Sequence, residues 1–222
     1  TIAVGGKLLN VTSNLNIEPS LMLFGVFASG NGGTIEACVN NSNIYYDKDS
    51  IVFCGLFVRQ VNSGQIINCV NNGNLTIHAS STVFCGIFAF INADNGVISN
   101  TINNGDIEVI VSNATVQASG FVFGNSGEIL NCINTGNINI RQCYVTGAFA
   151  ANNNGITRNC LNTGIVRVTN NGAAGGIAGA CQFNPHTDIS DSVIIENCLN
   201  INYVYGENKV GGILGEIRLH ND

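Results

Sequence analysis

Short apolar runs, separated by turns of Gly and Asn, follow one another along the whole chain and recur as one motif. Each copy has a Gly, an apolar residue and Phe, then a polar turn, then Ile-x-Asn-Cys-apolar-Asn-x-Gly-Asn. The clearest copy begins at Gly55 and passes through Cys69 to Leu75. The runs have the length and the Ile, Val and Phe content of strands. A fixed repeat of this size indicates stacked units, none of which buries its own apolar face.

Two positions of the motif define the repeat, which is about 31 residues long. The first holds Cys, with Thr101 once in its place: Cys38, Cys69, Cys132, Cys160 and Cys198. The second lies two residues later and holds Asn: Asn40, Asn71, Asn103, Asn134, Asn162 and Asn200. Phe recurs two residues after the leading Gly: Phe27, Phe57, Phe88 and Phe149.

These columns predict that successive units stack in register as parallel strands, about 4.8 Å apart. Like side chains then lie on one another, and stacked Asn side chains hydrogen-bond as they do in cross-β structures. The predicted fold is an all-β parallel β-solenoid of about six to seven coils. Residues 1–222 form one domain, with a partial coil at 1–24, six coils over 25–210 and a partial coil at 211–222. A β-propeller is the alternative, but a blade needs about 40 residues for its four strands.

Composition narrows the classes of function. The chain has 36 Asn and 27 Gly, only 10% charged residues and a net charge of −6. With 8 Lys and Arg in all, nucleic acid is not an expected partner, because binding it requires clustered cations. No apolar run approaches the ~18 residues of a membrane-spanning helix, so no transmembrane segment is predicted.

The glycine-rich segments Gly175-Gly176-Ile177-Ala178-Gly179 and Gly211-Gly212-Ile213-Leu214-Gly215 stand beside the motif Gly-x-Ile-x-Asn-Cys-x-Asn-Thr-Gly. Together they resemble the GLUG repeat of large surface and secreted proteins, and the resemblance covers nearly the whole chain. It implies a β-solenoid in an extracellular or cell-surface setting. That family carries no catalytic residues, so the resemblance assigns none here.

Both termini fall inside a repeat unit. Aligning Leu8-Leu9-Asn10 with Cys69-Val70-Asn71 makes the N-terminal segment a second half-coil, and residues 211–222 a first half-coil. End faces around Leu8 and Ile213 are then expected to expose unpaired strand edges. Complementary half-coils predict head-to-tail addition of copies, which yields filaments when it does not close. The expected protein is therefore an extracellular structural subunit whose main partner is a second copy of itself.

The alternative is an excerpt of a longer array, or an adhesin-type module of a larger surface protein that binds carbohydrate or a host molecule. Its binding surface is then expected on the insertion at 184–194 or the loop at 92–96, since insertions in repeat proteins commonly form binding loops. Glycans are the second class of partner on this interpretation.

Nine Cys without a CxxC spacing do not predict a zinc site. The main Cys column is interpreted as a buried ladder of small apolar side chains, with disulfides between neighbouring coils as the alternative. Cys54 and Cys85, near a corner, are the best disulfide candidates. Of the four glycosylation sequons, those at Asn74 and Asn113 lie off the Asn column and are the better candidates.

Catalytic chemistry is not predicted, and neither is a cofactor or a bound metal. Asp47-Lys48-Asp49-Ser50 starts like a calcium loop but lacks its remaining acidic positions. Asp188 and Asp191 lie near His186 in the insertion, without a cation to tune them. No GxSxG or HExxH motif is present, so the sequence gives no support for a serine hydrolase or a zinc protease.

Overall fold

The structure, a computed structural model, describes residues 1–16, 23–47, 50–112, 114–169, 172–183 and 193–219. Strands are the only regular elements in these residues, and they form five sheets in which every pairing is parallel. The repeated motif of the sequence thus corresponds to five strands per coil. Asn113, the residues at 184–192 and Lys48-Asp49 lie outside the described residues, so the expectations placed on them have no structural counterpart.

Sheets 1 and 2 each contain seven strands, in the order in which the chain visits them. Sheet 1 contains β1 (Lys7–Leu9), β4 (Thr34–Glu36), β9 (Gln65–Ile67), β14 (Val97–Ser99), β19 (Glu128–Leu130), β24 (Ile156–Arg158) and β29 (Ile194–Glu196). Sheet 2 contains β2 (Thr12–Ser13), β5 (Val39–Asn40), β10 (Val70–Asn71), β15 (Ile102–Asn103), β20 (Ile133–Asn134), β25 (Leu161–Asn162) and β30 (Leu199–Asn200).

Sheets 3, 4 and 5 contain six, seven and six strands. Sheet 3 contains β6 (Ile44–Asp47), β11 (Leu75–Ala79), β16 (Ile107–Val111), β21 (Ile138–Ile140), β26 (Val166–Val168) and β31 (Val204–Tyr205). Sheet 4 contains β3 (Leu23–Phe24), β7 (Val52–Gly55), β12 (Val83–Gly86), β17 (Val116–Ser119), β22 (Cys143–Gly147), β27 (Ala173–Gly175) and β32 (Val210–Gly211). Sheet 5 contains β8 (Val58–Val61), β13 (Ala89–Asn92), β18 (Val122–Asn125), β23 (Ala150–Asn153), β28 (Ala178–Phe183) and β33 (Leu214–Leu219).

The chain is an all-β parallel β-solenoid, so the predicted fold class is confirmed. We number the coils from the N-terminus: coil 1 holds β1–β3, coils 2 to 6 hold five strands each, and coil 7 holds β29–β33. The predicted number of coils, six to seven, is slightly higher than the number of regular coils. Coils 2 to 6 are five turns with the regular spacing, whereas coil 1 has fewer strands and coil 7 follows the insertion.

The corner between sheets 1 and 2 is a left-handed residue in every coil, usually Asn. These residues have φ of 53–56°: Asn10, Ala37, Asn68, Asn100, Asn131, Asn159 and Asn197. Asn tolerates this conformation better than other side chains with a Cβ. The residue before each Cys of the motif, which is Asn except at Ala37, therefore turns the chain by its backbone conformation.

The corner corrects the sequence alignment of the N-terminal segment. Leu8 pairs with Ile35 in sheet 1, and Asn10 takes the left-handed corner position. Leu8 therefore lies in the column of core Ile residues, and Val11 precedes the sheet 2 strand where Cys38 does in the next coil. The motif contains two Asn three residues apart, and the alignment matched Asn10 to the second instead of the first.

The interior is a set of stacked apolar columns. Five Phe rings lie one above another with centroids 4.7–4.8 Å apart: Phe27, Phe57, Phe88, Phe121 and Phe149. The sequence missed Phe121, because Ser119 takes the strand position of the leading Gly there and Phe121 directly follows Gly120. Cys38, Cys69, Cys132 and Cys160 are buried, as the small-apolar interpretation predicts.

A column of Asn side chains runs along sheet 2 and confirms the predicted ladder. In each step Nδ2 donates to Oδ1 of the next coil at 2.7–2.8 Å, through Asn40, Asn71, Asn103, Asn134, Asn162 and Asn200. Nδ2 of Asn71 also donates to the carbonyl oxygen of Gly73 at 2.8 Å. These bonds satisfy amides that are buried beside the apolar core, where an unpaired polar group is costly.

Candidate functional site: the two ends of the solenoid

The C-terminal end is formed by coil 7. Strands β29 to β33 each pair with a strand of coil 6 and are the last strands of their sheets among the described residues. Their outer edges therefore present unpaired backbone groups, which are a template for another strand. The side chains of this coil remain uncovered: Leu199, Ile201, Tyr203, Tyr205, Val210, Ile213 and Ile217 are all exposed.

A cavity of about 340 Å³ opens at this end of the core. It is lined by Cys181, Val193, Ile195, Leu214 and Ile217. Ile217 is 69% exposed, although its strand position is a core position in the coils below. The lining is apolar, so the cavity is suited to aliphatic side chains rather than to a polar ligand.

The N-terminal end is formed by coil 1. Strands β1, β2 and β3 are the first strands of sheets 1, 2 and 4. Leu8 is half-buried and packs on the core, whereas Leu9, Leu15 and Val4 are exposed. Together, coil 7, coil 1 and the segment before β1 hold ten of the thirteen exposed large apolar or aromatic side chains of the described residues. The sides of the rod are thus mostly polar, and exposed apolar surface is concentrated at its ends.

The two ends are built on the same columns. Leu8 begins the sheet 1 column that ends at Ile195, and each pair along it is in register. Ser13 similarly begins the sheet 2 column that ends at Asn200. A further coil placed on coil 7 would therefore bring Leu8 of that coil onto Ile195, and Ser13 onto Asn200.

An ion cluster fixes the last two strands of coil 7. Glu216 accepts from Lys209 Nζ at 2.5 Å and from Arg218 Nε at 2.9 Å. Partial burial alone would raise the pKa of Glu216, but the hydrogen bonds from Lys209 and Arg218 outweigh it and lower that pKa. Arg218 also lies over the ring of Tyr144, 4.8 Å from its centroid. The cluster holds β33 against the side of the rod.

The disulfide candidates Cys54 and Cys85 occupy adjacent strands at the same position. Both are buried, and all nine Cys are free, so the disulfide is not present in the structure. Parallel strands in register hold equivalent atoms about 4.8 Å apart, which exceeds the usual Cβ separation of about 3.8 Å in a disulfide. Burial, together with the hydrogen bond that the Cys54 thiol donates to Cys85, raises the pKa of Cys54 well above its ordinary value.

Cys198 differs from the other thiols because it lies in the last coil. It is half-buried, and its hydrogen bond with Cys160 lowers its pKa to about 7. Burial raises the pKa of Cys69, by contrast, to about 12. Cys198 is therefore the thiol best placed to react in the folded protein.

The remaining predicted positions lie along the sides of the rod. Asn74 is exposed, and its Oδ1 accepts from the backbone N–H of Asp106 at 2.9 Å. The loop at 92–96 is a tight turn closed by the N–H of Gly96 on the carbonyl of Ala93, 2.7 Å apart. Of the 184–194 insertion, only Val193 and Ile194 are described.

A shallow hollow of about 300 Å³ lies on the outer side of sheet 3, and no motif in the sequence predicted it. Its lining includes Asp47, His78, Ser80 and Ser112. Asp47 and His78 are neighbours in register, and Tyr45 Oη donates to Asp47 Oδ2 at 3.1 Å. Among the described residues, no three His, Cys, Asp or Glu side chains converge in a way that could hold a metal ion.

Comparison with models of protein families, with curated proteins and with solved structures gave no match to this chain. The ends of the rod are therefore interpreted from their own geometry. No helix in the described part of the chain is long and apolar enough to cross a membrane.

Proposed function

We propose that the chain is an extracellular structural protein whose copies join head to tail into a filament, coil 7 of one copy against coil 1 of the next. The observation that carries the proposal is the concentration of exposed apolar side chains and unpaired strand edges in these two coils. Each end alone would be an aggregation hazard in a soluble protein. Pairing between copies covers both.

Continuity of the columns supports a second copy as the occupant. At the junction, Leu8 would stack on Ile195 as Ile35 stacks on Leu8 within one copy. Asn200 donates its Nδ2 to Asn202 O at 2.9 Å, and a Ser13 side chain placed above it offers a further acceptor. The contact pairs unlike surfaces that lie at opposite ends of one stack of coils, so addition of copies extends the stack as a filament rather than closing it into a ring.

The extracellular assignment rests on the resemblance of the repeat to the GLUG motif and on the low charge of the chain. Asn74 is exposed on the side of the rod, where a glycan would not block the ends. Glycosylation of Asn74 is therefore compatible with the proposed filament.

Two variants with one blocked end each test the proposal. Leu8→Glu places a charge in the N-terminal end, and Ile213→Glu places one in the C-terminal end. In sedimentation velocity experiments, the assemblies of the unmodified chain should become larger as its concentration rises, and each variant alone should stay monomeric. An equal mixture should form dimers and nothing larger, because it contains one intact end of each kind.

Ile51→Glu is the matched control, since Ile51 is an exposed apolar residue on the side of the rod. It should assemble like the unmodified chain. A monomeric unmodified chain at all concentrations, or growth of either variant alone, would contradict the proposal. A monomer would instead favour a repeat module whose end coils are covered by other parts of a longer protein.

A further inference from the structure

Residues 1–6 cover part of the N-terminal end. Ile2 forms an isolated parallel bridge with Asn31 at the edge of sheet 5. Its N–H donates to Gly30 O at 2.8 Å, and its carbonyl accepts from Gly32 N at 2.8 Å. Asn31 makes the same two bonds to the next coil, with Gln60 O and Asn62 N. Ile2 therefore occupies the pairing position next to Asn31 at this edge of sheet 5.

The column that begins at Ile2 reaches the other end of the rod. Each pair of neighbours along it is in register: Ile2, Asn31, Val61, Asn92, Asn125, Asn153, Cys181 and Ile217. Ile217 belongs to β33, the last strand of coil 7. Ile2, in contrast, precedes β1 and so lies one coil before Asn31 in the order of the solenoid.

Head-to-tail pairing makes these two residues compete for one position. When β1 of the next copy pairs with β29, coil 1 of that copy directly follows coil 7. The position before its Asn31 then belongs to Ile217 of the first copy. Its own Ile2 already occupies that position, and an edge strand accepts only one partner on each side.

We propose that residues 1–6 form a resident segment that occupies the assembly edge of sheet 5, and that β33 of the incoming copy displaces it. The inference rests on the proposed head-to-tail function. The exchange favours the incoming strand, because Leu214 and Ile217 of β33 continue the columns of both Ala28 and Asn31, whereas the resident segment bridges only Asn31. The resident segment therefore weakens the affinity of one copy for the next.

Two adjacent glycines, Gly5 and Gly6, allow the resident segment to detach from the edge of sheet 5. Gly5 has φ of +78°, a conformation that glycine adopts without cost. Gly6 lies at the start of the corner that leads into β1, where its carbonyl accepts from Thr34 N at 2.9 Å. Rotation at Gly5 would release Ile2 while the Gly6 bond and β1 stay in place.

The test uses the blocked-end variants as a defined pair. The donor carries Leu8→Glu and keeps its C-terminal end, and the receiver carries Ile213→Glu and keeps its N-terminal end. Ile2→Asp is then added to the receiver to release the resident segment. Val4→Asp is the matched control, because it adds the same charge at a residue of the same segment that is 83% exposed.

Ile2→Asp should lower the dissociation constant of the pair by at least about tenfold, since the donor no longer breaks two hydrogen bonds to gain access. Val4→Asp should leave it unchanged. Hydrogen exchange gives a second readout: on donor binding to the receiver without Ile2→Asp, the Ile2 amide should lose protection while the Gly32 amide keeps it. Circular dichroism of the receivers checks that Ile2→Asp keeps the fold.

The outcomes separate the two proposals. Pairing that Ile2→Asp leaves unchanged or weakens would overturn the displacement while leaving head-to-tail assembly intact. Protection of Ile2 that persists in the complex would overturn it as well. A donor that pairs with none of the receivers would overturn the head-to-tail function and, with it, the displacement. Pairing that appears only with Ile2→Asp would support both.

Discussion

Asn92 stacks on Val61, and for this reason the buried Oδ1 atom of Asn92 accepts no hydrogen bond within the described residues. In this column the Nδ2 group of Asn92 donates to Asn125, and that of Asn125 donates to Asn153, both at 2.8 Å. Each Oδ1 thus depends on the amide of the preceding coil. Val61 has none to offer, so the column is interrupted at one apolar residue.

Val61→Asn should therefore stabilise the protein. The new Nδ2 group would donate to Asn92 Oδ1, and the new Oδ1 would face Asn31, completing the column. We expect a gain of about 1 kcal/mol in the free energy of unfolding, the usual net value of a buried hydrogen bond. Urea denaturation measures it.

Val58→Asn is the control, because Val58 is fully buried in an apolar column of the same strand. There the amide finds no column to join, and we expect a loss of about 1–3 kcal/mol. Equal effects at the two positions would contradict the directional account of the Asn column.

Interrupting the Asn column of sheet 2 should destabilise the protein. Asn103→Ala removes the acceptor of Asn71 Nδ2, the donor to Asn134 Oδ1 and the acceptor of Gly105 N. Because these groups are buried, the loss should be at least about 2 kcal/mol. Asn104→Ala, at the adjacent exposed position, should change stability by about 0.5 kcal/mol or less. Thermal unfolding of the two variants side by side gives the comparison.

Phe88, in the corner between sheets 4 and 5, and Phe90, on the outside of sheet 5, should differ in their effect on stability. Phe88 is fully buried between Phe57 and Phe121, and Phe88→Ala should cost about 3–5 kcal/mol. Phe90 is half-buried on the outside and contacts Phe53 and Phe123. Phe90→Ala should cost about 1–2 kcal/mol, near the value of its ring contacts. A reversed order would show that the stacked column is not the core.

Cys198 should be the first thiol to react in the folded protein. Its pKa of about 7 lies below the usual 8.5 of a free thiol, so its thiolate fraction rises through neutral pH. Iodoacetamide labelling followed by mass spectrometry should give a rate at Cys198 that is half-maximal near pH 7. Cys69, with its pKa raised to about 12 by burial, should stay unlabelled, and faster labelling there would contradict this assignment.

The pattern of the sequence predicted the columns, because stacking in register repeats a residue type at a fixed separation. Asn40, Asn71 and Asn103 repeat in this way, and their hydrogen bonds follow from it. Register itself was harder to predict at the N-terminus. Asn10 resembles both Asn positions of the motif, and only strand pairing shows that it is the corner residue.

The ends were predicted only in part. Leu8 and Ile213 do lie in the terminal coils, as the unfinished repeats indicated. Ile2 and Ile217 lie in a column that has no constant residue type, since it changes from Ile to Asn, Val and Cys along the rod. Their equivalence follows from backbone pairing alone, so the competition between them could not be predicted from residue types.

Electron cryo-microscopy of the unmodified chain over a range of concentrations tests the central claim most directly. One copy has seven coils, and its rod is on the order of 35 Å long. The account predicts unbranched filaments, one rod wide, with the spacing of about 4.8 Å between coils continuing through each junction. Uniform particles of single-rod length at every concentration, or rods joined by their sides, would contradict it.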